Sequence, residues 1–324
     1  MLRSGPAILV ITSLSFLSML ACDRLGDSNT ICAIPRDPSA SLYVTQHAGM
    51  ARAASRLGIK IYWNGPRGGD DTQQQIELME HAIEQRDAGI VITPMAAFAL
   101  DTVIQRALSE KIPVVILGAS IPFPPDPNLS FVVNDIDHSA KIAADRICSG
   151  MRKPGEIAVI GVDPVTPGNT TLADAFENSL SECKSVTRVV RKIGGTFTLG
   201  QSRELVIRML SEHPELEGIY SLSNAGTRGA VAALAAMHRT DSVRIVSTDP
   251  NLDLIALLRR GAVDSLVFPN MRAMGEKSVE NIVALRQHRP IRSVTLFSPV
   301  LVTLENVNSD SIRSLFNLDW RQVQ

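Results

Sequence analysis

The chain has 324 residues, 45% hydrophobic and 20% charged, with 32 Lys+Arg against 33 Asp+Glu, a composition that excludes disordered and fibrous classes. A formal net charge of −1, with no basic run to supply a local field, argues against nucleic acid as a partner. The length predicts two domains at roughly 100–200 residues each, and aromatics at 4% leave few rings for any stacking site.

The chain opens with Arg3, an apolar stretch from Ala7 to Leu20, and Met19-Leu20-Ala21-Cys22. That order is the order of a secretory signal. Thr12, Ser13, Ser15 and Ser18 interrupt the stretch, which falls short of the ~20 apolar residues that span a bilayer. Residues 1–21 are therefore predicted to be removed, the alternative being an uncleaved anchor. Cys after Leu-Ala resembles the bacterial lipobox, which implies lipidation of Cys22 and a membrane tether. Export permits disulfides. Cys148 and Cys183 end two consecutive predicted helices around one strand, a spacing that can bring their sulfurs together, while Cys32 reads as a small buried residue of the first strand. No Cys-x-x-Cys or His-x-x-x-His spacing supports a metal, and no cofactor is expected.

Downstream, β-rich segments recur: Ile59–Trp63, Gly89–Thr93, Val114–Leu117, Phe131–Val133, Glu156–Ile160, Gly218–Leu222, Arg244–Thr248 and Ser265–Phe268. Most are continuously apolar, as strands covered on both faces must be. Segments of helical period lie between them, such as Ile76-Met79-Ile83 and Leu205-Val206-Met209-Leu210. Asp71 or Thr72 is placed to cap one helix, and Arg259-Arg260-Gly261 to end another. Strand alternating with helix predicts parallel sheets, and about ten strands divide more naturally into two sheets than one. Parallel sheets bind ligands at the carboxyl ends of their strands. The loops there are short, polar and glycine-containing, among them Pro35-Arg36-Asp37-Pro38, Gly118-Ala119-Ser120, Asp163 to Thr171, Ser223 to Thr227 and Thr248-Asp249-Pro250.

From about residue 31 to 307 the order of these segments resembles the type I periplasmic binding proteins, in particular the ribose-binding-like sugar receptors. The resemblance is carried by Val44 to Gly58 with Ile59-Lys60-Ile61-Tyr62, Ala88 to Pro94, Lys111-Ile112-Pro113-Val114-Val115, Val133-Asn134-Asp135, His213 to Tyr220, Ser223-Asn224 with Gly229-Ala230, and Ser247-Thr248-Asp249. It implies an α/β fold of two Rossmann-like, doubly wound parallel-sheet lobes joined by a three-crossing hinge near Asn134, Pro269 and Pro299. The implied division is 22–134 plus 270–299 for the N-terminal lobe, 135–269 plus 300–307 for the C-terminal lobe, and 308–324 as a tail.

Carried over residue by residue, the family's ligand positions fall on Tyr43, Phe197, Asn224 and Asp249. Ser120 and Thr170 stand in segments where the family has an Asp-Arg pair and an Arg. Phe268 or Pro269 replaces the hinge Gln, next to Asn270, and Arg36 stands where small polar residues are commoner. These eight, Arg36, Tyr43, Ser120, Thr170, Phe197, Asn224, Asp249 and Asn270, form the candidate ligand set. Loss of paired charge makes ribose itself a poor candidate. Structural roles compete with several of them. Asp249 can cap the following helix, Asn224 can satisfy the Gly226 turn, Tyr43 can be core, and Arg36 can pair with Asp37 in solvent. Trp63 and Phe268 read as packing residues, and the six His as surface positions.

No Gly-x-Gly-x-x-Gly, phosphate-loop or Gly-x-Ser-x-Gly signature occurs. A repressor of the same core would need a DNA-binding segment where this chain has a signal. The expectation is a monomeric, lipid-tethered receptor that closes on a sugar or polyol and delivers it to an ABC permease. A sensory receptor of the same fold and an exported α/β enzyme are the alternatives.

Overall fold

Continuous apolar runs become central strands because helices cover both of their faces. The computed structural model describes residues 29–67, 71–194, 198–248 and 251–316. In its first sheet, β1 (Thr30–Ile34), β2 (Lys60–Trp63), β3 (Gly89–Ile92), β4 (Val114–Gly118), β5 (Leu129–Asn134) and β11 (Val294–Phe297) lie in the order β11-β5-β4-β3-β1-β2, all pairs parallel. Alternation along each strand sends Ile34, Ile90, Ile92 and Ile116 to one face, under α2 (Thr72–Glu84) and α3 (Asp101–Ser109). The other face carries Ile31, Val91, Val115 and Val132 toward α1 (Ser41–Leu57) and α9 (Met271–Arg286), which pack on each other.

The second sheet runs β12-β10-β9-β8-β6-β7, from β6 (Gly155–Val162), β7 (Val186–Ile193), β8 (Leu216–Ser221), β9 (Arg244–Ser247), β10 (Ser265–Pro269) and β12 (Pro299–Thr303). Its helices are α4 (Ile136–Gly150), α5 (Asn169–Leu180), α6 (Leu199–Glu212), α7 (Asn224–Ala236) and α8 (Leu252–Arg259), followed by the short α10 (Asp310–Arg313). One pair departs from the parallel expectation: β12 is antiparallel to β10. It enters the sheet directly from the first lobe, without the helix that a parallel crossover needs.

The chain passes between the sheets at three places, and register brings them side by side. Phe297 of β11 pairs with Asn134 at the end of β5, and Pro299 of β12 pairs with Pro269 at the end of β10. Asp135 then opens α4 in the second lobe, Asn270 opens α9 in the first, and only Ser298 separates β11 from β12. Pro299 is thus the first residue of the chain's return to the second sheet.

Cys148, near the end of α4, is bonded to Cys183 in the turn after α5, with Cα atoms 6.1 Å apart. Cys32 is buried and free in β1, and burial pushes its thiol up to about 12. Two histidines are not surface residues. His47 stacks on Trp63 with ring centroids 4.7 Å apart, and burial lowers its pKa. His213 Nδ1 lies 2.7 Å from Glu156 Oε2, both side chains less than one-fifth exposed.

Candidate functional site

The carboxyl ends of both sheets face one cleft, because each chain crossing leaves one sheet at that end and enters the other lobe there. Between the sheets lies a cavity of about 630 Å³, in the range of small-molecule sites. Arg36 and Ser39 to Tyr43 wall it from the first lobe. The second lobe contributes the loop after β6 with Asp163, Thr166 and Asn169, the start of α7 with Ser223 and Asn224, and Thr248 and Asn251 after β9. A further 190 Å³ adjoins it toward the crossings, sharing Arg36, Tyr43 and Thr166 and adding Thr93, Asn134 and Met271.

Arg36 reaches across this cleft. One guanidinium nitrogen donates to Thr166 Oγ1 at 3.1 Å, and that hydroxyl donates to Asp163 Oδ2 at 2.7 Å. The pairing of Arg36 with Asp37 does not occur. Asp37 Oδ1 instead accepts from Ser39 N at 2.8 Å and Ser39 Oγ at 2.6 Å, organising the turn that leads into α1. The buried Gln75 of α2 holds the loop's root by donating to Pro35 O and Thr93 O and accepting from Met95 N at 3.0 Å. Sequence reasoning did not single out Gln75, because an isolated Gln on a helix carries no motif.

The loop after β6 is set by its own side chains. Asp163 Oδ1 accepts from Val165 N at 3.0 Å, and Asn169 Oδ1 accepts from Asp163 N at 2.8 Å. Asp163 therefore spends much of its charge inside its loop, whereas Arg36 has a single neutral partner across the cleft. Gly168 ends the loop at φ +77°, and a Cβ there would stand 3.0 Å from Ala119 Cβ of the first lobe. Gly161 has φ +73°, and its Cβ would meet Ser223 Oγ at 2.7 Å. Both are places where only glycine lets backbone approach so closely.

At the start of α7, Ser223 Oγ accepts from Gly226 N at 3.0 Å and so performs the capping that Asn224 was a candidate for. Asn224 Nδ2 is left buried, without a protein partner, at the cavity wall. Asn134 Oδ1 is likewise buried and unpartnered in the adjoining part, its Nδ2 donating to Ser139 Oγ at 2.8 Å. A buried amide group without a partner costs about 1–3 kcal/mol, which a ligand hydroxyl would relieve.

Of the candidate set, the structure brings Arg36, Tyr43 and Asn224 to one cavity. Ser120 is exposed outside its walls, where Gly118 and Ala119 line instead. Thr170 sits on α5 one residue beyond the lining Asn169. Asn270 accepts from Ala273 N at 3.1 Å as the cap of α9 and borders a small apolar void. Phe197 and Asp249 lie outside the described residues, as does Cys22. The cap of α8, a role for which Asp249 was a candidate, is Asn251, which accepts from Leu254 N at 2.9 Å. Trp63 and Phe268 are packing residues, as expected. Asp163, Thr166, Asn169 and Asn134 lie in segments named from the sequence, but nothing in residue type alone distinguished them from their neighbours.

Comparison with known proteins agrees with this architecture. The D-ribose/D-allose-binding protein of Pseudomonas aeruginosa is 24% identical over 236 residues, which cover 70% of this chain and 69% of that protein. A carbohydrate transporter solute-binding protein from Agrobacterium radiobacter, solved with D-arabinose, superposes with TM-score 0.79 at 21% identity over 90% of this chain and 99% of its own. An ABC transporter solute-binding protein from Agrobacterium vitis, solved with α-D-tagatopyranose, gives TM-score 0.81 at 16% identity over the same shares. A model of the periplasmic binding protein domain matches residues 32–290, most of the chain. With that match and its two facing sheets, the chain belongs to the periplasmic binding protein family, in its type I form.

Proposed function

We propose that this protein is an extracytoplasmic receptor of an ABC importer that binds a sugar or related polyol between its lobes and releases it unchanged. The observation that carries the reading is the interlobe cavity, with one buried amide donor (Asn224 Nδ2) and one buried carbonyl acceptor (Asn134 Oδ1) awaiting partners. Hydroxyl groups both donate and accept, so a polyhydroxylated ligand suits both kinds of group. The sugars named for the relatives and neighbours support the class. Because ligand contacts come from both lobes, binding favours the closed arrangement, which a permease then reads. Tyr43 supplies the aromatic contact, and Arg36 donates to ring or hydroxyl oxygens. The protein acts as a monomer, its mature N-terminal Cys22 lipidated in the membrane.

The test is calorimetry against D-allose, D-arabinose, D-tagatose, D-ribose and myo-inositol, with amino acids as controls. One sugar or polyol is expected to bind, to stabilise by about 2.7 kcal/mol at 100 times its dissociation constant, and to be recovered intact. Asn224→Leu is expected to weaken that binding about tenfold, the worth of one well-made hydrogen bond. Binding confined to amino acids, or conversion of the sugar, would refute the reading. Separately, Cys22→Ser is expected to move the protein from the membrane to the soluble fraction. Membrane retention would remove the lipid anchor.

A further inference from the structure

The segment after β12 leaves the cleft yet returns to the crossings. Val307, Ile312 and Phe316 are buried in the core of the second lobe. Phe316 packs on Phe268 of β10 with ring centroids 5.2 Å apart. Asn308 Oδ1 accepts from an Arg259 guanidinium nitrogen of α8 at 2.6 Å. So far the segment belongs to one lobe.

Its last described turn touches the other. Arg272, in the first turn of α9 on the first lobe, donates through a guanidinium nitrogen to Ser314 O. Leu315 and Phe316 face Leu42 and Thr45 of α1 across a void of only about 10 Å³, no more than a single water needs. Leu42, Pro269 and Met271 wall both that void and the ligand cleft. One layer of side chains therefore separates Phe316 from the space a ligand would fill.

We propose that Ser309–Phe316 is a strap across the second crossing that positions the lobes, holding them in the arrangement in which Arg36 meets Thr166. The strap is anchored in one lobe and makes contacts to the other through Arg272, Leu42 and Thr45. Rotating the lobes moves these partners together with α1 and α9, so the contacts exist in one arrangement only. Contacts made in one state and not another shift the equilibrium toward that state. Phe316 is accordingly a positioning residue, acting on the cleft through Leu42 and Met271 without touching a ligand. The inference rests on the reading that the lobes move.

Small-angle scattering of the sugar-free protein tests it, because that measurement needs no ligand to be identified. Phe316→Ala and Arg272→Met, which cut the strap from its two ends, are each expected to raise the radius of gyration as the lobes part. Ile104→Ala, a core truncation in α3 of the first lobe, in a core cluster that no residue of the strap joins, is expected to lower the melting temperature and leave the radius unchanged. Where Phe316→Ala fails to fold, Arg272→Met decides alone. Scattering from Arg272→Met that superposes on the parent chain overturns the proposal. So does an equal rise in Ile104→Ala, which would make the effect one of general loosening. Failure of every sugar to bind would count against the receptor reading and leave the scattering result standing.

Discussion

Phe176→Ala is expected to destabilise the second lobe by about 3–5 kcal/mol, the cost of truncating a fully buried aromatic and leaving a cavity behind. Phe176 has no exposed surface on α5 and stacks on the equally buried Tyr220 of β8, ring centroids 4.2 Å apart. Around the pair, Ala140, Ala143 and Ala144 bring α4 close to the sheet. Small residues on that side leave little that can move in to fill the space. Urea unfolding followed by circular dichroism measures the loss. A loss under about 1 kcal/mol would mean that α4 and α5 collapse onto the vacancy and the lobe is softer than its packing indicates. Because α5 begins at Asn169, which lines the cleft, the variant is also expected to bind its sugar more weakly under conditions where it remains folded.

The second large effect concerns the bridge between Cys148 and Cys183. Replacing both with serine is expected to cost about 4 kcal/mol, the loop-closure entropy restored to the unfolded chain by opening a 35-residue separation. The loss should be concentrated in β7, the strand that follows Cys183. It is the edge of its sheet, pairs only with β6, and shows a largely exposed or half-exposed side-chain pattern. Hydrogen exchange of β7 amides in the Cys148→Ser/Cys183→Ser variant is the direct measurement, alongside the midpoint of thermal unfolding. In the oxidised parent, neither thiol is expected to react with maleimide. Unchanged exchange and unchanged midpoint would show that the bridge merely decorates an already fixed turn.

The central strands were legible because burial on both faces leaves a continuous apolar signature, as in Gly89–Ile92 and Val114–Gly118. The edge strands β7, β11 and β12 were not singled out, and β7 and β11 show why. Val186–Ile193 carries two Arg and a Lys, and Val294–Phe297 alternates exposed and half-buried residues. An edge strand needs only one covered face and one hydrogen-bonding partner, so its sequence imitates a polar loop. Helix boundaries followed from capping chemistry, as at Asp71, which accepts from Gln74 N, and at Gly261, with φ +75° after α8.

The site was legible to a lesser degree, and the reason is visible at single residues. Arg36 and Asp37 are adjacent in sequence and of opposite charge, so local reasoning pairs them. In the fold, Asp37 turns back to its own backbone and Arg36 crosses to Thr166, which is 130 residues away. Sequence offered Asn224 for the Gly226 turn, and backbone geometry gives that cap to Ser223 and strands the amide of Asn224 in the wall.

What the amino-acid order determined by itself was therefore the periodic part: βα units, two sheets, and a family whose ligand cleft lies at the carboxyl ends of the strands. Those follow from the burial of one residue face after another, which is written locally in the chain. Tertiary structure alone decided which polar atoms find partners within the protein and which remain for a ligand. It also set the C-terminal turn against both lobes at a crossing. These outcomes depend on distances between residues far apart in sequence, and a hydrogen bond that is lost or made by an ångström of displacement leaves no trace in the local pattern.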